Sequence, residues 1–307
     1  MKINEILGTK YPFIQGGMAN IATGEFAAAV SNAGGFGLIG SGGMTPDMLR
    51  ENIRKCKSLT DKPFGVNLML MSPQVDEMAD IIIEEDVKVV TTGAGNPAKY
   101  MPKWKENGIK VIPVVPGVAL AKKMEKEGAD AVIAEGTESG GHVGETTTMA
   151  LVPQVVDAVN IPVIAAGGIA DGRQLAAAFA LGACGVQLGT CLLATKECPI
   201  HDAYKETVIK AKDNSTVVTG RIAGVPVRII KNTMSREYIK LEKSGADKME
   251  LEKFTLGSLR KAVFDGDTIN GSLMAGQVAG QINEIKTIKE VFEAMYSQYE
   301  QVVAGLK

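Results

Sequence analysis

Two histidines are the first candidates for proton chemistry in this chain of 307 residues. His142 lies in a glycine-rich segment, residues 135–144, that follows a short apolar run. A histidine held over a ligand site can donate a proton or a hydrogen bond where charge develops on a substrate. We therefore take His142 as the candidate catalytic residue, with a solvated or packed loop residue as the alternative. His201 begins a helical stretch, and we expect it to cap that helix or to lie on the surface.

Small residues at the ends of two apolar runs are the candidates for phosphate binding. Glycine at such a position lets the backbone approach a ligand closely, although tight turns also explain glycine pairs there. Segments 166–169 and 187–190 could hold a phosphate with loop N–H groups and the N-terminus of a following helix. The candidates are Ala166, Gly167, Gly168, Gln187, Gly189 and Thr190. The sequence therefore predicts a phosphorylated cofactor.

Polar and sulfur-containing side chains near other run ends are further candidates. Asn67 follows apolar residues, and its amide could cap its own turn or pair with the polar edge of a planar ring such as a flavin. Glu135 and Glu138 could orient His142, or could simply be exposed. Four methionines could line an apolar pocket, although core filling is the simpler explanation. They are Met18, Met69, Met71 and Met274.

The repeating pattern of the chain indicates which elements position these residues. Eight short apolar runs alternate with longer amphipathic stretches, which is typical of βα units around a parallel sheet. The runs are 12–17, 36–41, 63–69, 87–93, 110–115, 131–136, 162–168 and 185–190, and the helical stretches include 45–59, 75–85, 117–127 and 171–181. Eight units predict an α/β fold, a closed (β/α)8 TIM barrel, with its active site at the carboxyl ends of the strands.

The alternative is a doubly wound open sheet, which would show a Gly-x-Gly-x-x-Gly turn after the first strand. Here that turn is Gln15-Gly16-Gly17-Met18, which does not match. The repeating pattern stops over residues 196–269, which are more polar and include a charged run, 240–253. We predict a small helical inserted subdomain or lid at 196–269, a barrel formed by 1–195 and 270–307, and a final helix over 287–303.

Composition excludes several classes of partner. The chain has 33 basic and 35 acidic residues, so no overall field favours nucleic acid. The uncharged stretch 175–195 contains glycines and polar residues that favour helix, turn and buried strand over a membrane span. The first residues lack the apolar core of a signal peptide. We therefore expect a cytoplasmic protein with no membrane or nucleic-acid partner.

The four cysteines are expected to pack as thiols, because they form no C-x-x-C pair and the cytosol is reducing. They are Cys56, Cys184, Cys191 and Cys198. Two isolated histidines do not make a clustered ligand set. We predict no structural metal.

The motifs together resemble the flavin-dependent enoyl-[acyl-carrier-protein] reductase II family (FabK type), within the nitronate monooxygenase-like superfamily. The resemblance spans essentially the whole chain. It is carried by YPFIQGGM (11–18), KPFGVN (62–67), VVTTGAGNP (89–97), GGH (140–142), PVIAAGGI (162–169) and QLGT (187–190). The reductase branch is favoured by 89–97, by VRIIKN (227–232) and by GSLMAGQ (271–277). Cys191 departs from the Arg that often follows the Gly-Thr pair.

The resemblance implies FMN over the barrel mouth, with NADH or NADPH as co-substrate and an enoyl thioester on acyl carrier protein as electron acceptor. It also implies a homodimer and, as an option, a monovalent cation. His142 would polarise the thioester or protonate the α-carbon. The implied reaction is the last step of fatty-acid elongation. The candidate cofactor-binding residues are Gly16, Gly17, Met18, Asn67, Glu135, Gly141, Ala166, Gly167, Gly168, Gln187, Gly189, Thr190, Met274, Gly276 and Gln277.

Two other functions suit the same sequence. A nitronate monooxygenase or NAD(P)H:quinone reductase would share the scaffold and differ in the final acceptor, which fold analogy does not decide. A non-redox phosphate-binding barrel would use the glycine segments to hold only a sugar phosphate. The absorbance of bound flavin separates this last alternative from the other two.

Overall fold

The computed structural model describes residues 2–306, and in this range the chain forms eleven strands. Numbered in chain order, they are β1 (Phe13–Gln15), β2 (Gly37–Gly40), β3 (Phe64–Met69), β4 (Val89–Gly93), β5 (Lys110–Val115), β6 (Val132–Glu135), β7 (Gly141–His142), β8 (Val163–Ala166), β9 (Gly185–Leu188), β10 (Thr216–Thr219) and β11 (Val227–Ile230). Eight of them coincide with the eight predicted apolar runs. Strands β7, β10 and β11 were not predicted.

The eight predicted strands form one parallel sheet in the order β1-β9-β8-β6-β5-β4-β3-β2. The sheet closes on itself beside Phe36, whose N–H donates to the Phe13 carbonyl at 2.8 Å. The Phe36 carbonyl accepts the Gln15 N–H at 2.9 Å. The predicted (β/α)8 barrel is therefore confirmed.

Fourteen α-helices occur in residues 2–306, and the barrel helices follow the strands as expected. They are α1 (Ile3–Leu7), α2 (Gly24–Asn32), α3 (Pro46–Leu59), α4 (Val75–Glu84), α5 (Met101–Glu106), α6 (Val118–Lys126), α7 (Thr148–Val156), α8 (Gly172–Ala180), α9 (Thr190–Leu193), α10 (Asp202–Ile209), α11 (Thr233–Lys243), α12 (Lys248–Thr255), α13 (Ser258–Arg260) and α14 (Ile288–Gly305). Side-chain caps define several starts: the Thr45 hydroxyl accepts the Met48 N–H at 3.3 Å, and Thr287 forms a capping box with Glu290.

The barrel interior is a packed core, as its strand sequences require. Side chains such as Ile14, Leu38, Ile112, Ile133 and Ile164 form one buried cluster. A second, larger cluster lies between the strands and the outer helices. Because both faces of the strands are buried, the strands read as continuous apolar runs. Helix α1 adds its own buried residues to the interior cluster and so covers one end of the barrel.

Helix α14 completes the wall by packing against α8. The Gln298 side chain accepts the Gly172 N–H at 2.7 Å. A Cβ at Gly172 would lie 2.3 Å from the Tyr299 nitrogen, so the two helices approach at a distance that only glycine allows. The predicted closing helix is therefore present.

The segment 196–269 differs from the wholly helical structure that was predicted. It contains α10 to α13, but β10 and β11 form an antiparallel hairpin, and β11 also pairs with β7. The signal was present in the sequence, since both strands are rich in Val, Ile and Thr and flank a loop with two glycines. Its division from the barrel as a separate subdomain stays a prediction. No helix within residues 2–306 combines the length and apolar character needed to cross a lipid bilayer.

Candidate functional site

A cavity of about 430 Å³ lies at the carboxyl ends of the barrel strands. This is where α/β barrels form their active sites. Fourteen of the sixteen predicted site residues line it. They are Gly16, Gly17, Met18, Asn67, Glu135, Gly141, His142, Ala166, Gly167, Gly168, Gln187, Gly189, Thr190 and Met274.

Close packing of the first loop against β3 shapes one side of the cavity. A Cβ at Gly17 would lie 2.2 Å from Cγ of Asn67, so glycine is required for this approach. The Asn67 Nδ2 donates to the Thr91 hydroxyl at 2.8 Å, and the side chain is 9% exposed. One N–H of the amide is therefore used internally. Its other N–H and its oxygen have no such partner among residues 2–306 and can meet a ligand.

The two predicted phosphate segments lie side by side. Gly167 and Gly168 have φ angles of 92° and 75°, which favour glycine. The buried Thr190 hydroxyl accepts the Gly276 N–H at 2.8 Å. Since the oxygen is the acceptor, the hydroxyl proton remains free to donate to an anion in the cavity.

Gln187 gives an independent sign that a polar ligand belongs in the cavity. Its side chain is 8% exposed and lines the cavity. Its buried Oε1 atom has no hydrogen-bond partner within the described range, residues 2–306. Native proteins rarely leave buried polar atoms unpaired. A ligand N–H group that reached Oε1 would satisfy it.

The His142 loop is held by the inserted segment. Strand β7 pairs antiparallel with β11, with His142 opposite Val227 and Gly141 opposite Arg228. The His142 side chain is exposed to the cavity, and partial desolvation by the surrounding protein lowers its pKa from the ordinary 6.5. At neutral pH the imidazole is therefore mainly uncharged.

The two glutamates of this loop do not orient His142, contrary to one of the predicted options. Glu138 instead receives hydrogen bonds from the N–H and the hydroxyl of Thr148, both at 2.7 Å. It thus caps the first turn of α7. Burial raises the pKa of Glu135 to about 7, and neighbouring Ser139 partly offsets this shift. Glu135 is therefore a cavity carboxyl that is partly protonated at neutral pH.

Two predicted cofactor residues do not line the cavity. Gly276 supports it from behind, because its N–H binds Thr190 and a Cβ there would lie 2.5 Å from the Glu138 carbonyl oxygen. Gln277 is exposed, and its N–H donates to the Glu138 carbonyl at 2.9 Å. Val278 lines the cavity instead. Residues 274–276 are irregular, so no periodicity in the sequence could tell which side chains face inward.

The methionines divide between two environments. Three of them line the cavity, which corrects the simpler expectation that they fill the core. They are Met18, Met69 and Met274. Met71 is 68% exposed, and it neither lines the cavity nor fills the core.

Several further lining residues do not belong to the predicted set of site residues. They are Ala19, Ile21, Ala94, Val114, Ser139, Gly140, Ile169, Leu193, Leu259 and Val278. Val114 could have been found, because it is the next-to-last residue of a predicted strand. Leu259 could not, since it comes from α13 of the inserted segment and only the tertiary fold brings it to the barrel mouth.

The remaining candidates have structural roles. The His201 Nδ1 accepts the Ala203 N–H at 3.1 Å and caps α10, as predicted. All four cysteines are free, and burial raises their pKa values to about 11 for Cys184 and about 12 for the other three. They therefore remain thiols, as expected. Cys191 is buried and does not line the cavity.

Several known proteins resemble this chain in sequence or in structure. The sequence model of the family described as nitronate monooxygenase matches residues 1–82 and 75–298. The structure of FabK from Thermotoga maritima has a TM-score of 0.97 and 51% identity, covering 99% of this chain and 97% of that chain.

Two curated relatives extend this comparison. The (3aS,4S,5R,7aS)-5-hydroxy-7a-methyl-1-oxo-octahydro-1H-indene-4-carboxyl-CoA dehydrogenase of Mycobacterium tuberculosis is 33% identical over 333 residues, covering 95% of this chain and 94% of the relative. A probable nitronate monooxygenase of Staphylococcus saprophyticus is 39% identical over 278 residues, covering 75% and 78%.

The family match covers most of the chain, and the FabK similarity extends over both the barrel and segment 196–269. The resemblance inferred from the motifs is therefore confirmed. This chain belongs to the nitronate monooxygenase family.

Proposed function

We propose that this chain is an FMN-dependent enoyl-[acyl-carrier-protein] reductase that uses NADH or NADPH to reduce trans-2-enoyl thioesters. The observation that carries the proposal is the 51% identity to FabK along almost the whole of both chains. The name of the M. tuberculosis relative specifies a CoA carboxyl compound, which is also a thioester. Both similarities favour a thioester as the electron acceptor.

The cavity fits FMN by size and by the groups in its wall. Its volume of about 430 Å³ lies within the range of roughly 300–1,000 Å³ typical of cofactor sites. Segments 166–168 and 187–190 would hold the phosphate, and Asn67 with the unpaired Gln187 oxygen would meet the polar edge of the ring. When bound, FMN supplies the hydride chemistry that connects the nicotinamide to the enoyl β-carbon.

His142 would act on the thioester. Because partial desolvation lowers its pKa, a neutral imidazole can donate one N–H hydrogen bond to the thioester oxygen, where negative charge develops as the β-carbon is reduced. The alternative role, protonation of the α-carbon, would require the imidazolium form, because a neutral imidazole that gave up its N–H proton would be left as an imidazolate. The glycines beside it leave the thioester room to approach.

The other expectations are part of the same proposal. Acyl carrier protein would present the substrate in the last step of fatty-acid elongation, in the cytoplasm. A homodimer and a monovalent cation stay predictions from the resemblance. The same holds for the division of the chain into barrel (1–195 and 270–307) and inserted segment (196–269).

Reoxidation of the reduced holoenzyme tests the choice of acceptor. We expect crotonyl thioester to reoxidise the flavin faster than a quinone or propyl nitronate in rapid-mixing experiments. The rival is a nitronate monooxygenase, which the family description and the S. saprophyticus relative favour. Fastest reoxidation with nitronate would support that rival. Purified protein that lacks flavin absorbance, and gains none with FMN, would instead favour a non-redox barrel.

A further inference from the structure

Arg228, in the middle of β11, has an environment that its structural contacts do not explain. The side chain is only 6% exposed. Its Nε donates to the Thr137 carbonyl at 3.0 Å, and Nη1 donates to the Thr216 hydroxyl at 3.1 Å. A guanidinium carries five N–H donors, so these two bonds leave most of its hydrogen-bonding capacity unused.

The charge of Arg228 is also not neutralised by an ion pair. No carboxylate forms a salt bridge with it in the part of the chain that the structure describes. Glu138 is the acidic group that acts on Arg228 through space, but its carboxylate is engaged by Thr148. Burial, reinforced by repulsion from Arg221, lowers the pKa of Arg228. Its ordinary value is high enough for the side chain to remain charged at neutral pH.

A buried, unpaired cation is unfavourable unless a partner arrives from outside the chain. The Nη2 atom makes no hydrogen bond within residues 2–306 and is not completely buried. A partner from outside the chain can therefore reach it. Arg221 adds a second positive charge on the same hairpin, where it forms an exposed ion pair with Glu145. The hairpin thus presents two neighbouring guanidinium groups.

The position of this pair relative to the cavity suggests what the partner is. Arg228 lies directly opposite Gly141, which lines the cavity next to His142. Arg228 itself does not line the cavity, so an anion bound there would lie beside the cavity wall, next to a molecule whose reactive part reaches His142. Planar guanidinium groups bind phosphate oxygens in a bidentate manner.

We propose that Arg228, assisted by Arg221, binds a phosphate group of a co-substrate that enters the cavity beside His142. Two molecules of the proposed reaction carry such a group: the nicotinamide dinucleotide, and the 4′-phosphopantetheine arm that bears the enoyl thioester. This inference rests on the proposed function for the identity of the two sources.

The experiment compares substrates that differ only in phosphate. For Arg228→Gln, kcat/KM is measured with crotonyl-4′-phosphopantetheine and with crotonyl-pantetheine, and KM is measured for NADH and for NADPH. Loss of a charge-assisted contact predicts an effect of about 10- to 100-fold. If the phosphate belongs to the arm, only the phosphorylated thioester loses this factor. If it belongs to the dinucleotide, KM for the dinucleotide rises and kcat/KM is unchanged for both thioesters, because the two substrates react with the flavin in separate half-reactions.

Matched variants separate binding from folding. Arg236→Gln removes an exposed guanidinium from α11, in the same segment, and should change none of these constants. Arg228→Lys keeps the charge and should restore part of the lost affinity. If Arg228→Gln does not fold, Arg228→Lys and Arg221→Gln provide the same comparison, with smaller expected effects.

A uniform fall in kcat, with unchanged KM values and no discrimination between the phosphorylated and unphosphorylated thioesters, would overturn the proposal. Arg228 would then only hold the Thr137 loop. Calorimetric binding of NADP⁺ and of 4′-phosphopantetheine to the oxidised holoenzyme needs no turnover, because neither molecule can reduce the flavin. Weaker binding to the variant would therefore support the phosphate site even if wild-type protein failed to reduce crotonyl thioesters, a failure that would count against the proposed function alone.

Discussion

His142 lies opposite Val227, and Met274 lies opposite Ile229, on the same edge of strand β11. Two neighbouring hydrogen bonds strengthen this arrangement, from Val143 N–H to the Pro226 carbonyl at 3.1 Å and from Ile230 N–H to the Leu273 carbonyl at 2.8 Å. One strand of the inserted segment therefore places two side chains that line the cavity. The barrel alone does not position them.

Replacing His142 should slow the half-reaction in which the enoyl thioester oxidises the reduced enzyme. We expect His142→Ala to slow oxidation of the reduced enzyme by crotonyl thioester about 10²- to 10⁴-fold, because a positioned proton or hydrogen-bond donor is lost. Reduction by NADH should change much less. Single-turnover absorbance changes of the flavin measure the two half-reactions separately. An unchanged oxidation rate would remove His142 from the mechanism.

The Thr190 hydroxyl should be needed for both structure and cofactor binding. Thr190→Val keeps the side-chain shape but leaves the buried Gly276 N–H without its acceptor, at a cost of about 1–3 kcal/mol. We expect lower thermal stability and weaker FMN retention on gel filtration. Thr190→Ser restores the oxygen and should behave like the wild type. Equal loss in both variants would contradict this role for the hydroxyl.

The packing of Gly17 on Asn67 predicts a strong effect of one added methyl group. In Gly17→Ala the new Cβ would overlap Asn67 and displace its amide from Thr91. We expect destabilisation of about 1–3 kcal/mol and loss of bound FMN, measured by urea unfolding and by absorbance. Gly117→Ala is the matched control, because nothing lies within 4 Å of its added Cβ. FMN retained in Gly17→Ala would show that Asn67 is not needed there.

Glu135 should give the stability of the protein a distinct pH dependence. Burial raises its pKa from 4.5 to about 7. The stability contributed by its protonated form is therefore fully present below about pH 4.5 and is lost as the pH rises through 7. Against Glu135→Gln, the wild type should lose on the order of 3 kcal/mol between pH 5 and pH 8. Urea unfolding of both proteins across this range measures the difference, and a constant difference would contradict it.

Most of the barrel could be predicted from sequence because its period is strong. All eight parallel strands and the helices α3, α4, α6 and α8 lie where the alternation of apolar runs and amphipathic stretches predicted them. Because these strands are buried on both faces, they appear in the sequence as continuous apolar runs that are easily recognised. The hairpin was missed because its two strands lie within a polar segment that lacks the alternation of apolar runs and amphipathic stretches.

The site was predictable where residues follow barrel strands and less predictable elsewhere. Glycines such as Gly168 and Gly189 could be found because strand ends converge at one face of a barrel. Gln277 does not line the cavity and Leu259, which does, was not predicted, since both lie outside the repeating units. The unpaired charge of Arg228 could not be predicted from the sequence, because only the tertiary structure shows that no carboxylate lies close enough to form an ion pair with it.

The pairing of β7 with β11 makes segment 216–230 a natural target for protein engineering. Sequence changes there can retune the acceptor side of the cavity while the closed eight-stranded wall and its glycine turns stay untouched. Exchange of this hairpin between relatives that act on different acceptors is therefore a direct way to transfer selectivity within one scaffold. The barrel would remain the same in all such variants, and only the exchanged hairpin would differ.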